Sequence, residues 1–566
     1  MHLDLPSLLA FEDDDTTGHR PALRLRIGPR RSHADLSYGD LRVASVAAAA
    51  ALAGLGCRPG DRIALLMPMS GRLVTTFFGA LHGGFVPSIL AWPTTKMDAE
   101  KYRRNVTAVV ESLAADWLVT DAVTARELGG AVGSARVVDP AVFSPEPAAI
   151  APPPAPRREG AAFIQFSGGT TGVQKSVPVS LDLLGRQLAG YSTALRLSEG
   201  DGIASWLPLY HDMGLVACLL LPFFFRLPVT LFSPIEWVMD PRPFLESIGT
   251  LRTTLCWLPN FAFAFMAAKV GAPPGTFDLS SLRAAINCSE PVRADSMDAF
   301  FTRFRSDGLR REALHTCYAM AEATFAVSQS TAADPPRRLV VSREALGAGR
   351  IEPAVEGRAL ISCGPPLPGM EVTVARPDGT AAAPGEIGEI RLRGLSVMDG
   401  YLTPLEGAFA GDFYRTGDRG ALVDGHVYVT GREKDLIIVG GVNVHPEDLE
   451  AAVSGVEGVH AGRVVAIGLD DERLGTERLV IVAEVDDPAD LARSSAIETE
   501  ARRTVLAVSG VAPARVFVVP PQWIVKSTAG KPARAETRAR LLTRWDELVA
   551  AAEQRPDPAV TVKGTP

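Results

Sequence analysis

Residues 60–90 constrain the fold more than any other stretch. "GDRIALLMP" (60–68) reads as a buried strand after a turn, and "SGRLVTTFFGALHGGFVPSIL" (70–90) as helix, glycine stop and strand. Alternation of this kind predicts an α/β sheet with parallel strands. The chain has 566 residues, too many for one hydrophobic core, so two or more domains are expected.

Other features of the chain narrow the class. The proline-rich "APPPAPRREG" (151–160) suits neither helix nor central strand and predicts a linker. From about Ser362 the texture changes. "EVTVARPDGTAAAPGEIGEIRLRG" (371–394) has short alternating strands separated by Pro-Asp-Gly and Pro-Gly turns, which predicts a β-rich subdomain. A last block, about 433–545, mixes strands such as "RVVAIGL" and "RLVIVAEV" with helices, as a small α/β lid would. The closing "EQRPDPAVTVKGTP" predicts disorder.

A net charge of −8 with no long basic run argues against nucleic acid as a partner. The first residues carry acids where a secretory leader needs positive charge. The most apolar run, Leu215–Phe225, is 11 residues long and contains Pro222. Spanning a bilayer takes about 20 residues, so a buried core element is expected and no membrane insertion. Six scattered cysteines without a CxxC pair predict reduced, buried thiols, and nine histidines show no zinc-ligand spacing. The compartment expected from this is the cytoplasm.

"SGGTTGVQKS" (167–176) has clustered glycines, hydroxyls and a Lys-Ser end, but Gln174 stands where a P-loop requires glycine. It follows the apolar "AAFIQF", and an amphipathic helix is expected from about Leu181. Between strand and helix its backbone N–H groups could converge on an anion, with Thr170, Thr171 and Lys175 adding donors and charge. Alone it could equally be a surface turn. It is accompanied by "SWLPLYHDMGL" (205–215), "INCSEPV" (286–292), "CYAMAEATFAVS" (317–328), "YRTGDRG" (414–420), "GREKDLIIVGGVNVHPEDLE" (431–450) and "VKSTAGKPARAETR" (525–538).

In that order and spacing, the chain resembles the adenylate-forming superfamily of acyl-CoA synthetases, adenylation domains and luciferases. It is most similar to the fatty acyl-AMP ligases, from about residue 38 to 545. "SWLPLYHDMGL", "AINCSEPVRADSMDAF" and "CGPPLPGMEV" carry the likeness to that subfamily. The resemblance implies a large N-terminal domain over residues 1–431, built of α/β subdomains and a small β-rich one. A small mobile α+β C-terminal lid would follow over 432–566, with a hinge near 434 and a disordered tail from about 553. The phosphate loop departs from the usual pattern at Gly168, Gln174 and Ser176 while keeping Thr170, Thr171 and Lys175.

The implied reaction has two halves. A carboxylate attacks the α-phosphorus of ATP, releasing pyrophosphate and leaving an acyl-adenylate. A thiol then takes the acyl group and expels AMP. Joining two anions asks for positive charge and positioning more than acid–base groups. By resemblance, the loop from Ser167 through Gly168, Gly169, Thr170, Thr171 and Gly172 to Lys175 would hold phosphates. Tyr318 would stack on adenine, with Ala319, Met320 and Ala321 beside it and the Cys288–Ser289–Glu290 turn lining the same pocket. Glu322 would hold Mg²⁺, which takes few protein carboxylates. Asp418 would accept the ribose hydroxyls with support from Arg432. His211 would sit beside the reacting carboxylate, unless it is a core histidine bonded to a carbonyl. Lys531 would be the mobile lid cation, and Lys434 the hinge. His445 replaces the common tyrosine of the loop that faces the active site in the second half-reaction.

For the acid pocket, "LCWLPNFAF" (255–263) supplies Trp257, Asn260 and Phe261. Trp257 stands where the family tends to have a small residue. It either closes the tunnel, favouring a short, branched or cyclic acid, or packs into the core. "VVSREALGAGRIEPAVEG" (340–357) resembles the insertion typical of fatty acyl-AMP ligases. It implies transfer to the phosphopantetheine of an acyl carrier protein. The alternatives are an acyl- or aryl-CoA ligase, an amide-forming ligase and, remotely, a non-catalytic nucleotide-binding protein.

Overall fold

A computed structural model of the chain describes Leu5 and residues 18–28, 32–93, 99–128, 133–142, 160–167, 174–439, 442–471, 476–526 and 532–553. The expected linker and tail, residues 151–159 and 554–566, lie outside the described residues.

The opening stretch folds as its pattern requires. Strands Arg62–Leu65 and Val86–Ile89 pair in parallel across the helix Gly71–His82, in a four-stranded parallel sheet completed by Trp117–Val119 and Arg136–Val138. Ser70 caps the helix by accepting from the Leu73 N–H, which satisfies one of its orphan donors. The helix buries Phe77 and Phe78, and Gly83 follows its end.

A second sheet has eight strands. Six run parallel in the spatial order Leu314–Ala319, Ala284–Asn287, Leu255–Leu258, Ile203–Ser205, Val229–Phe232 and Pro21–Ile27. Antiparallel strands Ala326–Gln329 and Ser32–Ser37 close its two edges. Because the central strands are parallel, Trp206, Pro259, Cys288 and Met320 all follow carboxyl ends on one edge of the sheet. That edge is where open α/β sheets bind ligands. The apolar run 215–225 forms buried helical turns, Met213–Leu220 and Leu221–Phe224, as its length implied. All six cysteines are free thiols in buried positions.

One expectation is corrected. The phosphate-loop segment does not lead directly into a helix. Strand Phe163–Ser167 pairs antiparallel with Lys175–Val179, and the helix Leu181–Leu195 begins only after that second strand. The described residues on either side of 168–173 are therefore paired strands of a two-stranded ribbon, and the helix at Leu181 follows the second of them. In "KSVPV", Pro178 sits in a two-stranded ribbon, where a missing ladder donor is tolerated.

The β-rich region is antiparallel, with Met370–Ala375, Gly388–Gly394, Phe413–Val423 and His426–Arg432 as its main strands. In the last block, Val459–Asp471 pairs antiparallel with Thr476–Val485, which pairs in parallel with Arg515–Val519. Alternate residues of this sheet face two cores: Val464, Ala466 and Ile481 lie in one, Val465, Ile467 and Val480 in the other. Helices Pro446–Val453 and Ser494–Ser509 cover the first face and Arg534–Thr543 the second. Two cations of the preceding region reach this block: Arg358 pairs with Asp448 at 2.8 Å and Arg343 Nη1 donates to the Val508 carbonyl at 2.5 Å. Arg293 also donates to the Glu447 carbonyl.

Candidate active site

The site is assembled from strand ends and from the β-rich sheet facing them. Tyr318, next to last in its strand, donates its phenol to Asp418 Oδ2 at 2.6 Å, and Arg432 Nε donates to Oδ1 at 3.1 Å. Asp418 and Arg432 are opposite each other in the antiparallel register, so the sheet itself presents the pair. Burial, with the Asp418 charge adding to it, pushes the Tyr318 phenol far above its usual range and keeps it a donor.

A second cluster surrounds Glu322, which is 7% exposed in the short turn Ala321–Ala323. The turn is held from three sides. Gln165 Nε2 donates to the carbonyls of Ala321 and Thr324, both at 2.9 Å, and the Met398 N–H donates to the Glu322 carbonyl at 2.8 Å. Thr324 has φ = +65°, a conformation that costs a β-branched residue of order 1–3 kcal/mol, and its hydroxyl donates to the Ser396 carbonyl at 2.8 Å. On the Glu322 side chain, Tyr401 donates to Oε1 at 2.7 Å, and the Tyr401 and Tyr414 hydroxyls are 2.9 Å apart. Burial first, and the Glu322 charge second, push both phenols well above their usual range. Lys175 Nζ lies 4.9 Å from the centre of the Tyr401 ring, and the Ser167 side chain bonds the same phenol. The two flanks of the hairpin loop and Glu322 thus meet on one tyrosine.

His211 Nδ1 lies 2.5 Å from Asp212 Oδ1, whose side chain is buried and also accepts from the Met213 N–H at 2.7 Å. The imidazole is half-buried, and no described residue bonds its Nε2. Three residues on, a Cβ at Gly214 would stand 2.2 Å from the Pro208 carbonyl oxygen, so only glycine lets the chain turn this tightly behind the histidine.

The turns after the neighbouring strands are knitted together. Ser289 has φ = +68°. Glu290 Oε2 accepts from the Phe261 N–H at 2.9 Å, and Asn260 Oδ1 accepts from Asn287 Nδ2 and the Arg293 N–H, both at 3.0 Å. Glu290 and Asn260 therefore use their side chains to fix loop shape. Cys288 is buried, and Ala319 and Met320 are half-buried. Trp257 is fully buried, its Nε1 donating to the Tyr191 hydroxyl at 2.7 Å. Phe261 is 42% exposed and lies edge-on to Trp206, which stacks on Trp237 at 3.8 Å.

Gly168, Gly169, Thr170, Thr171, Gly172 and Lys531 lie outside the described residues. What brackets them is described: Ser167 faces Lys175 across the hairpin, and Lys526 bridges to Pro532. Lys434 occupies the short turn Glu433–Asp435 directly after the strand that carries Arg432. Desolvation, with the Arg432 charge adding to it, pulls the Lys434 pKa down. Sequence reading missed Tyr401, Tyr414, Gln165 and Asp212. Asp212 and Tyr414 had a local signal, lying inside the motifs "SWLPLYHDMGL" and "YRTGDRG".

Among the described residues no three His, Cys, Asp or Glu side chains gather as a metal cage. A single carboxylate with one oxygen already held suits a Mg²⁺ that keeps waters and arrives on phosphate oxygens. The donor set around Glu322 fits that ion.

Comparison with known proteins gives a consistent result. The family model described as "AMP-binding enzyme" matches residues 11–402. A putative acyl-CoA synthetase of Caulobacter vibrioides is 30% identical over 90% of this chain and 90% of its own. The medium-chain-fatty-acid–[acyl-carrier-protein] ligase JamA of Moorena producens is 31% identical over 75% of this chain and 76% of its own. A structure from a study of fatty acyl-adenylate ligases of E. coli and L. pneumophila superimposes with a TM-score of 0.86 at 26% identity, covering 97% of this chain and 99% of that one.

Proposed function

Because the chain belongs to the AMP-binding enzyme family and is an acyl-AMP ligase, we propose that it activates a carboxylic acid with ATP and hands the acyl group to the phosphopantetheine thiol of an acyl carrier protein. The observation that carries this reading is the meeting of Glu322, Lys175 and the Tyr318–Asp418–Arg432 set around the carboxyl ends of the parallel strands. The relative JamA, an acyl-carrier-protein ligase by name, supports the acceptor.

In the first half-reaction a carboxylate oxygen bonds to the α-phosphorus of ATP and the bond to pyrophosphate breaks. Tyr318 packs the adenine, and the Asp418 carboxylate, steadied by Arg432, takes the ribose hydroxyls in place of its internal partners. Ser167 to Gly172 and Lys175 hold the β- and γ-phosphates. Mg²⁺, bound through Glu322, would neutralise charge that develops on the phosphate oxygens. His211, its Nδ1 side fixed by Asp212, orients the acid beside the turn 288–290. Lys531 brings a cation to the new anhydride from the C-terminal unit. In the second half the thiol sulfur bonds to the acyl carbon and AMP leaves. A Lys531 that serves the first step would stand in the thiol's route, so in this reading the unit over 432–566 turns about Lys434 between the two steps.

Lys531 gives the sharpest test. Lys531→Ala should lower acid-dependent pyrophosphate release about a hundredfold, roughly 3 kcal/mol of preorganised charge. ATP binding should persist, since the adenine and ribose contacts lie elsewhere. Near-normal release in the variant would remove Lys531 from the chemistry.

A further inference from the structure

We propose that Tyr401 is a positioning residue for both charges of the first half-reaction, its hydroxyl aiming the Glu322 carboxylate and its ring seating the Lys175 ammonium. The proposal rests on the reading that Glu322 holds Mg²⁺ and Lys175 the phosphates.

Contacts of its hydroxyl, its ring and its backbone neighbourhood place this tyrosine. Its hydroxyl donates to Glu322 Oε1 at 2.7 Å, and its ring centre is 4.9 Å from Lys175 Nζ. Its backbone neighbourhood is stapled to Glu322 and to the residue after Lys175. The Met398 N–H donates to the Glu322 carbonyl at 2.8 Å, and the Leu402 N–H donates to the carbonyl of Ser176, next to Lys175, at 2.9 Å. Tyr401 is 8% exposed and lies between these two backbone ties, which restrain its movement away from either charge. Tyr414, 2.9 Å from the Tyr401 oxygen, fixes the hydroxyl in turn.

The chemistry follows from these contacts. A carboxylate with one oxygen held cannot rotate, so the other oxygen keeps one direction for a cation. Partners of this kind change metal affinity by about 10–100-fold when removed. The aromatic face attracts the ammonium by cation–π interaction, which fixes where the Lys175 charge sits.

The two roles separate by substitution. Tyr401→Phe keeps the ring and loses the hydroxyl; Tyr401→Leu loses both. In acid-dependent ATP–pyrophosphate exchange, Tyr401→Phe should raise the Mg²⁺ needed for half-maximal rate about tenfold, with the rate recovering at high Mg²⁺ and the ATP KM at saturating Mg²⁺ nearly unchanged. Tyr401→Leu should raise that KM as well. Mn²⁺ binding to the enzyme–ATP complex, followed by electron paramagnetic resonance, should weaken about tenfold in Tyr401→Phe.

Glu322→Gln separates the two claims. If it leaves Mn²⁺ binding intact, the metal assignment itself is wrong and this proposal falls with it. If it weakens binding while Tyr401→Phe does not, only the proposal for Tyr401 is overturned. Should Tyr401→Phe fail to fold, Tyr414→Phe carries the test. Mn²⁺ binding should weaken by less than the roughly tenfold expected of Tyr401→Phe, because Tyr414 acts by fixing the Tyr401 hydroxyl; a reproducible weakening supports the proposal, and no change overturns it.

Discussion

Trp257 has no solvent contact, and its one polar atom has found a partner in the Tyr191 hydroxyl. That hydroxyl in turn donates to Gln329 Oε1 at 2.9 Å, so the indole is locked in place rather than free to yield to an acid's tail. We propose that it bounds the acid recess from the buried side and shortens the acid that fits. Trp257→Phe should lower stability by about 1–3 kcal/mol, the cost of an orphaned partner and lost packing. It should also move the preferred acid toward longer chains. Each methylene newly accommodated is worth about 0.8 kcal/mol, close to fourfold in kcat/KM. A panel of straight-chain acids reads this directly; destabilisation with an unmoved optimum would make Trp257 a core residue only. At this scale, the residues legible in the sequence were those inside linear motifs: Tyr318, Glu322, Asp418 and Arg432. Tyr401 was not legible, because its contact with Glu322 spans 79 positions and exists only once two sheets face each other. Gln165, 156 positions from Ala321, escaped for the same reason.

Among elements, the strand–helix–strand unit of residues 60–90 was legible because each part carries its own period and stop signal. The hairpin at 163–179 was not: a five-residue strand shows too little periodicity to be told from the lead-in to a helix. The helix Pro446–Val453 carries a consequence of burial that pattern alone does not reveal. Burial pushes the Glu447 carboxyl from 4.5 up to about 7, only partly offset by Arg534, and pulls its neighbour His445 from 6.5 down to about 4. Between pH 4.5 and 7 the folded protein keeps a proton on Glu447 that the unfolded chain has released, so stability falls as pH rises. His445 works in the opposite sense between about pH 4 and 6.5, where only the unfolded chain takes up the proton. The two slopes oppose each other, and Glu447→Gln removes one. The thermal midpoint of the variant relative to wild type should therefore climb from pH 5 to pH 8, by the equivalent of about 2–3 kcal/mol. A difference independent of pH would show that Glu447 keeps its ordinary acidity.

For the whole molecule, the question is what the insertion at 340–357 does to acceptor choice. It begins in the strand Arg338–Val341 and continues into the helix Arg343–Gly347, and Arg343 bonds the Val508 carbonyl of the C-terminal unit. Arg358, just past it, pairs with Asp448 at 2.8 Å. We propose that these contacts restrain the reorientation that free CoA requires, while a carrier protein brings enough binding surface to overcome them. Arg343→Ala with Arg358→Ala, which removes both contacts, should then raise acyl transfer to CoA without raising adenylate formation, and so should removal of residues 344–356, which breaks the span that connects them. Among the described residues no helix is long and apolar enough to cross a membrane, and nothing in the account needs one. The most direct test supplies wild-type enzyme with ATP, Mg²⁺ and an accepted acid, then offers the adenylate formed to holo-carrier protein or to CoA in parallel, with acyl products followed by mass spectrometry. The account expects acid-dependent pyrophosphate release in both arms and acyl transfer to the carrier protein at least about ten times faster, a transition-state difference of roughly 1.4 kcal/mol. Equal or faster transfer to CoA would contradict it.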